Sequence, residues 1–338
     1  MAVVYSLDDT ISSFFDENTT VTRQQCDDFA LSQVGGKSIP VPIQGDSSYT
    51  ITAGTAESKI FQFRTHDSDI DMSVLSFAKT THSQFIPDCK YHGTIGQSRP
   101  LHVYEMDRLA GTPYIIARLG FATQSPDDVA RQRNTTTDFA KFFAQSWNHS
   151  QKLPPDETAA LLMEFRDKFD LLSQSLPPRF TSNLDRIRKE LPLLFSQTLP
   201  FVLTHGDLCE LNILTDPETG SITGIIDWAE GRILPFGFSL WGFENVLGWM
   251  DSKGWHYFDN RYELEEIFWR TFRMEANNLS DDDLRLIQVA RMAGLFCRYG
   301  LVHDGKGYKG VVDESDVSSF AYLNAFCTGN DWMPTVGH

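Results

Sequence analysis

The sequence predicts an α+β protein, with a small antiparallel β-sheet carrying one helix followed by a larger, mainly helical part. Three observations lead there. Four short runs rich in β-branched and aromatic residues fall between residues 38 and 110, separated by Gly and Asp/Ser turns. Most of the chain after residue 125 instead shows apolar residues at helical spacing between cap and proline signals. At 338 residues, 41% apolar and 12% aromatic, the chain is long and hydrophobic enough for about two domains.

Residues 1–34 read as a helical lead-in anchored by Phe14, Phe15, Val21 and Phe29. The strands of the 35–110 region are expected at 39–43, 49–52, 59–64 and 101–106, with a helix from Ser68 to about His82 opened by an Asp/Ser cluster. The boundary to the helical part, 111–338, falls within Asp107-Arg108-Leu109-Ala110-Gly111-Thr112-Pro113. Ser125-Pro126-Asp127-Asp128 starts a helix by all its signals: a hydroxyl cap, proline in the first turn, and acids near the positive end of the helix dipole. Helices are expected over 126–150, 155–175 and 180–197, with Pro154-Pro155 and Pro177-Pro178 as breaks. Further helices are expected over 239–250, 261–276, 281–300 and 314–328.

Composition removes several classes of function. The charge balance is 29 − 45 = −16, so no basic footprint exists for a nucleic acid, and phosphate would be repelled at long range. No apolar run reaches the roughly 18–20 residues that a membrane span needs. The acidic start, without a basic n-region, argues against a secretory signal, and the five scattered cysteines show no CxxC pair. A cytoplasmic location is the expectation. A Walker A loop, an HExxH helix and a complete nucleophile elbow are all absent from the sequence.

One stretch concentrates the chemistry. Phe201-Val202-Leu203-Thr204 leads into His205-Gly206-Asp207-Leu208-Cys209-Glu210-Leu211-Asn212, and Ile222-Thr223-Gly224-Ile225-Ile226 leads into Asp227-Trp228. Polar loops between apolar strands display reactive groups on a rigid frame. Asp207 has the chemistry to accept a proton from a hydroxyl. The Asn212 carbonyl and Asp227 carboxylate are hard oxygen donors of the kind Mg²⁺ takes together with phosphate oxygens. His205 is assigned to the catalytic group as a brace of the loop.

His205-x-Asp207-x-x-x-x-Asn212 followed by Ile225-Ile226-Asp227-Trp228 resembles the aminoglycoside phosphotransferase family, with choline kinase-like relatives, in the protein-kinase-like superfamily. The resemblance implies a bilobal kinase-like fold and transfer of the γ-phosphoryl group of Mg·ATP to a small-molecule hydroxyl. Asp207 would be the base, and Asn212 and Asp227 the magnesium ligands. It also implies a nucleotide-positioning loop at Gln44-Gly45-Asp46-Ser47-Ser48-Tyr49, with Gly45, Ser47 and Ser48 facing phosphate. A strand cation follows. Arg64 is the best placed, with Lys59 as rival, where the family usually has Lys, and Asp71 or Asp69 is the expected partner carboxylate. The backbone of Glu105 to Asp107 would meet the adenine edge, and Met106 either packs on the base or fills the core. On the acceptor side, Trp228, Glu230, Trp241 and Glu244 combine rings and carboxylates that suit an amine-bearing acceptor. The helical spacing of Phe238, Trp241, Asn245 and Trp249 favours the core for Trp241 and Trp249 over an acceptor role. Two alternatives stay open: an inactive kinase-fold binding protein, and a kinase-fold enzyme that transfers AMP or activates a carboxylate. Oligomeric state and acceptor identity leave no mark in the sequence.

Overall fold

The computed structural model describes residues 5–45, 47–121, 125–303 and 308–329. Asp46, in the expected phosphate loop, lies outside them. The chain divides into two compact units. One holds Met1–Ala110 together with Ile226–Ala229, and the other holds Gly111–Ile225 and Glu230–His338.

In the first unit, α1 (Leu7–Asn18) and α2 (Arg23–Val34) precede a five-stranded antiparallel sheet. Its strands are β1 (Ile39–Pro40), β2 (Ser48–Ala53), β3 (Lys59–Arg64), β4 (Cys89–Ile95) and β5 (Leu101–Asp107), in the order β1-β2-β3-β5-β4. Helix α3 (Met72–Thr81) lies between β3 and β4 in the chain. Thr22 opens α2 with a reciprocal capping box to Gln25.

Alternation along the strands sorts the two faces of this sheet. Tyr49, Ile51, Ala53, Phe61, Phe63, Leu101 and Val103 pack with Ile11, Phe14, Val21, Cys26 and Ala30 in one core cluster. The two leading helices therefore cover one face of the sheet. The opposite face carries Ser48, Thr50, Gln62 and Arg64, with Ser48 opposite Arg64 and Thr50 opposite Gln62 in register. The local sequence thus puts a cation and hydroxyls on the face that α1 and α2 leave.

Strand β4 is a difference from the sequence expectation, which left Cys89–Ile95 without structure. It is an edge strand whose residues are intermediate or exposed, and its register slips between Tyr91 and Gly93, so no clean alternation marks it.

The second unit begins with β6 (Thr112–Pro113) and the single turn α4 (Tyr114–Ala117). Helices α5 (Pro126–Asn148), α6 (Pro155–Ser175) and α7 (Thr181–Leu194) follow. Then come β7 (Phe201–Thr204), β8 (Ile213–Thr215), β9 (Ile222–Ile225) and β10 (Arg232–Pro235), with β7 paired to β10 and β8 between β6 and β9. The rest is α8 (Glu244–Leu247), β11 (Gly248–Asp251), β12 (Gly254–Tyr257), α9 (Arg261–Glu275), α10 (Asp281–Gly300), β13 (Leu301–His303), β14 (Tyr308–Val311) and α11 (Val317–Cys327).

The core of this unit is aromatic. Phe139, Phe143 and Trp147 of α5 meet Phe236, Phe268 and Phe272 edge-on, with ring centres 5.1–6.2 Å apart among Phe139–Phe143, Phe143–Phe236, Phe143–Phe268, Trp147–Phe236 and Trp147–Phe272. Such pairs add to area burial because ring edges and faces carry opposite partial charge. Ser125 and Asp128 form the capping box that starts α5, and Ser280 and Asp283 form the one that starts α10.

The expected helix over 239–250 stops at Leu247. Gly248 is extended, and a Cβ there would run into the carbonyl of His256, so the chain turns into the β11–β12 hairpin instead.

Candidate active site

The catalytic-type loop of the second unit lies between β7 and β8 and is shaped by its own backbone. Gly206 sits at φ 69°, and a Cβ on it would overlap the carbonyl of Glu230, so a residue without a side chain is required. His205 is buried, and its carbonyl accepts the Asp207 N–H at 2.7 Å. The Asn212 amide nitrogen donates to the Asp207 carbonyl at 2.8 Å and to its Oδ2 at 3.0 Å. The amide oxygen of Asn212 is thereby turned away from Asp207. Two residues beyond the loop brace it. Asn245 donates its amide to the Leu208 carbonyl at 3.0 Å, and Ile115 N–H donates to the Glu210 carbonyl at 3.2 Å.

Asp207 has a partner that no local pattern in the sequence marked. Arg298 of α10 places Nη2 at 2.7 Å from Asp207 Oδ1, and its guanidinium lies over the Trp241 ring at 4.8 Å from the centroid. A basic residue in the last turn of a helix ordinarily reads as a complement to the helix dipole, so nothing local marked it. Cys209 Sγ is 3.9 Å from Oδ2. Burial, with the Asp207 charge adding to it, pushes that thiol up to about 11, so it stays protonated and is no nucleophile at neutral pH.

In the first unit, Arg64 is buried in β3. Its Nε donates to the Ser68 carbonyl at 2.6 Å and Nη1 to Gln62 Oε1 at 3.2 Å, and Nη1 lies 3.8 Å from Asp227 Oδ1. The expected carboxylate partner is therefore corrected. Asp71 caps α3, accepting from Ser73 N–H and Val74 N–H, and the carboxylate in ion-pair reach of Arg64 is Asp227 rather than Asp71 or Asp69. Asp227 holds φ 62°, a left-handed conformation that costs a non-glycine residue on the order of 1 kcal/mol and that Asp tolerates better than most. Its side chain is 43% exposed. The rival cation, Lys59, is engaged at the far end of β3, where Nζ donates to Asp107 Oδ1 at 2.6 Å and lies 3.5 Å from Glu105 Oε1.

The other nucleotide-side expectations divide. Gly45 is exposed, and a Cβ on it would meet only Ser48 Oγ at 3.9 Å. The Ser47 carbonyl accepts from Thr65 N–H and Ser68 Oγ, each at 3.1 Å. Ser48 is drawn into β2, buried, with its hydroxyl 3.3 Å from Thr50 Oγ1. Glu105 and Met106 lie in β5 with β3 on one side and β4 on the other, Asp107 N–H donates to the Asp88 carbonyl, and the Glu105 carboxylate holds His92 Nε2 at 2.8 Å. The sheet ladders engage much of this backbone.

On the acceptor side, three of the four residues are buried. Trp228 is buried and packs near His82, at 5.7 Å between ring centres. Trp241 is buried with Arg298 over its face. Glu244 is buried in an ion pair with Arg291, with Tyr257 Oη donating at 3.4 Å. Glu230 alone of the four is exposed. Rings and carboxylates that looked available to an ammonium are already matched to arginines or packed away.

Comparisons place the chain in a class. The sequence profile of the phosphotransferase enzyme family (APH) matches residues 75–245, just over half of the 338-residue chain. The chain belongs to that family. A stretch of 49 residues is 49% identical to the aminoglycoside 3'-phosphotransferase of Streptomyces ribosidificus, covering 14% of this chain and 19% of that relative. The matched stretch thus spans about a fifth of the relative's length. Among solved structures, a choline/ethanolamine kinase family protein from Mesorhizobium loti superposes with a TM-score of 0.54 at 13% identity, over 96% of each chain. A macrolide 2'-phosphotransferase from Brachybacterium faecium gives a TM-score of 0.49 at 12% identity, over 93% of this chain and 99% of that one. At such identity the first of these likenesses establishes the protein-kinase-like fold, and nothing finer. No helix among the described residues is long and apolar enough to cross a membrane.

Proposed function

We propose that the protein is a small-molecule kinase that moves the γ-phosphoryl group of ATP to an acceptor hydroxyl. Family membership supports phosphoryl chemistry, and the observation that carries the residue roles is the tie between Asp207 and Asn212 on one loop. Asp207 accepts the hydroxyl proton while the acceptor oxygen bonds to the γ-phosphorus and the bond to the bridging oxygen of ADP breaks. Asn212 has its amide nitrogen committed to Asp207, and Asp227 has a half-exposed carboxylate; each offers one hard oxygen to magnesium. Among the described residues no group of three His, Cys, Asp or Glu side chains is placed to hold a metal unaided, which suits an ion that takes most of its ligands from phosphate and water. Bound magnesium would supply positive charge to the phosphate oxygens. Arg64 adds a fixed guanidinium on the polar face of the first unit's sheet.

The test is magnesium-dependent release of ADP with phosphorylated product, measured across a panel of alcohols, amino alcohols, sugars, hydroxy acids and aminoglycosides. ADP and product are expected from the native chain. The Asp207→Ala variant is expected to bind Mg·ATP and form neither. Release of AMP instead of ADP would overturn the reading.

A further inference from the structure

We propose that Arg298 is a specificity-determining residue, and that the acceptor is a hydroxyl compound bearing an anionic group rather than an amine. This rests on the reading of Asp207 as the group that meets the acceptor hydroxyl.

Charge around the loop is matched pair by pair. Asp207 is paired with Arg298 at 2.7 Å, Glu210 with Arg118 at 2.7 Å, and Glu244 with Arg291. An ammonium entering beside Asp207 would have to displace a guanidinium from one of these carboxylates or sit next to it. Breaking such a pair leaves a partly buried charge uncompensated, which is costly. The aromatic face nearest to hand is no refuge for a cation either, because Arg298 already covers Trp241.

Arg298 is suited to the opposite charge. Its side chain is 32% exposed, and among the described residues it places one nitrogen on Asp207 and lies over the Trp241 ring. A guanidinium carries five N–H donors in a planar fork that matches a carboxylate or phosphate in two-point contact. The Trp241 stack holds the fork in place, so a further anion would bind a preset geometry. The surroundings supply a planar, partly apolar wall. Tyr299 follows Arg298 in the chain, stacks on the half-buried Tyr322 at 4.5 Å, and lies 6.2 Å from Trp241. A hydroxy acid with an aromatic body would place its carboxylate on Arg298, its ring by Tyr322, and its hydroxyl toward Asp207. The −16 of the whole chain opposes such an acceptor only weakly, since a Debye length of about 8 Å at physiological salt screens distant charge.

The experiment uses the full chain and scaffold-matched probes of opposite charge. Calorimetric binding and ADP formation are measured for 4-hydroxyphenylacetate against tyramine, 3-phenyllactate against phenylalaninol, and gluconate against glucosamine. In at least one pair the acid is expected to bind about tenfold or more tighter than the amine. Arg298→Gln should remove that preference, and Arg298→Lys should restore part of it. A purely structural role would instead weaken acids and amines alike. Tighter binding of the amine in every pair that binds, no binding in any pair, or an unchanged preference in Arg298→Gln would overturn the proposal. Should Arg298→Gln fail to fold, the native-chain comparison and Arg298→Lys decide it. Arg298-dependent binding of an acid without any ADP would uphold this inference while refuting the kinase reading, and ADP formation with amines alone would do the reverse.

Discussion

Two aspartates, one in each unit, face an arginine in different ways. Asp207 is held at both oxygens, by Arg298 at 2.7 Å and by the Asn212 amide at 3.0 Å, on a loop braced by Asn245. Asp227 is 3.8 Å from Arg64, half-exposed, and sits in a left-handed backbone conformation. The first is a carboxylate fixed before any substrate arrives, as proton transfer to a positioned group requires. The second is more open to solvent and carries backbone strain. Under the proposed function, pre-organisation would belong to the acceptor chemistry and adaptability to the nucleotide side.

Substitutions that separate the two aspartates test this contrast. The largest expected effect is that of Asp207→Ala, a loss of turnover of at least about 10²–10⁴-fold, to below detection in the product assay, with Mg·ATP affinity retained, read by ADP release and calorimetry. Asp227→Ala should weaken Mg·ATP binding by about tenfold or more as well as turnover, and normal affinity in a magnesium titration would remove it from the metal site. Next comes the buried Glu244–Arg291 pair. Glu244→Gln should cost about 3 kcal/mol of stability in a denaturant titration, since it strands a largely buried guanidinium. A stable Glu244→Gln chain with a raised acceptor KM would return Glu244 to the acceptor side.

A pH effect follows from Glu164, which takes both Arg232 nitrogens at 2.8–2.9 Å and Lys168 at 2.6 Å. The Arg232 hydrogen bonds, with Lys168 adding to them, lower its carboxyl from 4.5 to about 2. A folded-state value below the unfolded one means that the stabilisation is complete above about pH 4.5 and is lost as pH falls toward 2. Melting temperature should drop over that window in the native chain and less steeply in Glu164→Gln. The smallest effect is that of Ser280→Ala, which removes the cap of α10 at about 1 kcal/mol and should leave turnover unchanged.

Legibility in the sequence followed locality. The loop at 205–212 and the strand ending before Asp227 announced themselves because reactive and apolar residues alternate within two short stretches. Long helices with proline and hydroxyl starts were equally plain, as Ser125 and Ser280 show. What escaped was set by distant partners. Arg298 lies more than ninety residues beyond Asp207 and looks like an ordinary helix terminus. Trp241 and Glu244 looked like substrate groups because their arginines come from α10, which no spacing rule connects to them. The hairpin after Leu247 was hidden because its tryptophans fall at helical intervals, while the close approach of the Gly248 and His256 backbones decides the path.

The most direct test of the account incubates the native chain and Asp207→Ala with magnesium, ATP and the acceptor panel, and follows product mass and released nucleotide together. The account predicts a gain of about 80 Da, the mass of one phosphoryl group, with stoichiometric ADP from the native chain alone. The same product from Asp207→Ala, or AMP as the released nucleotide, would contradict it.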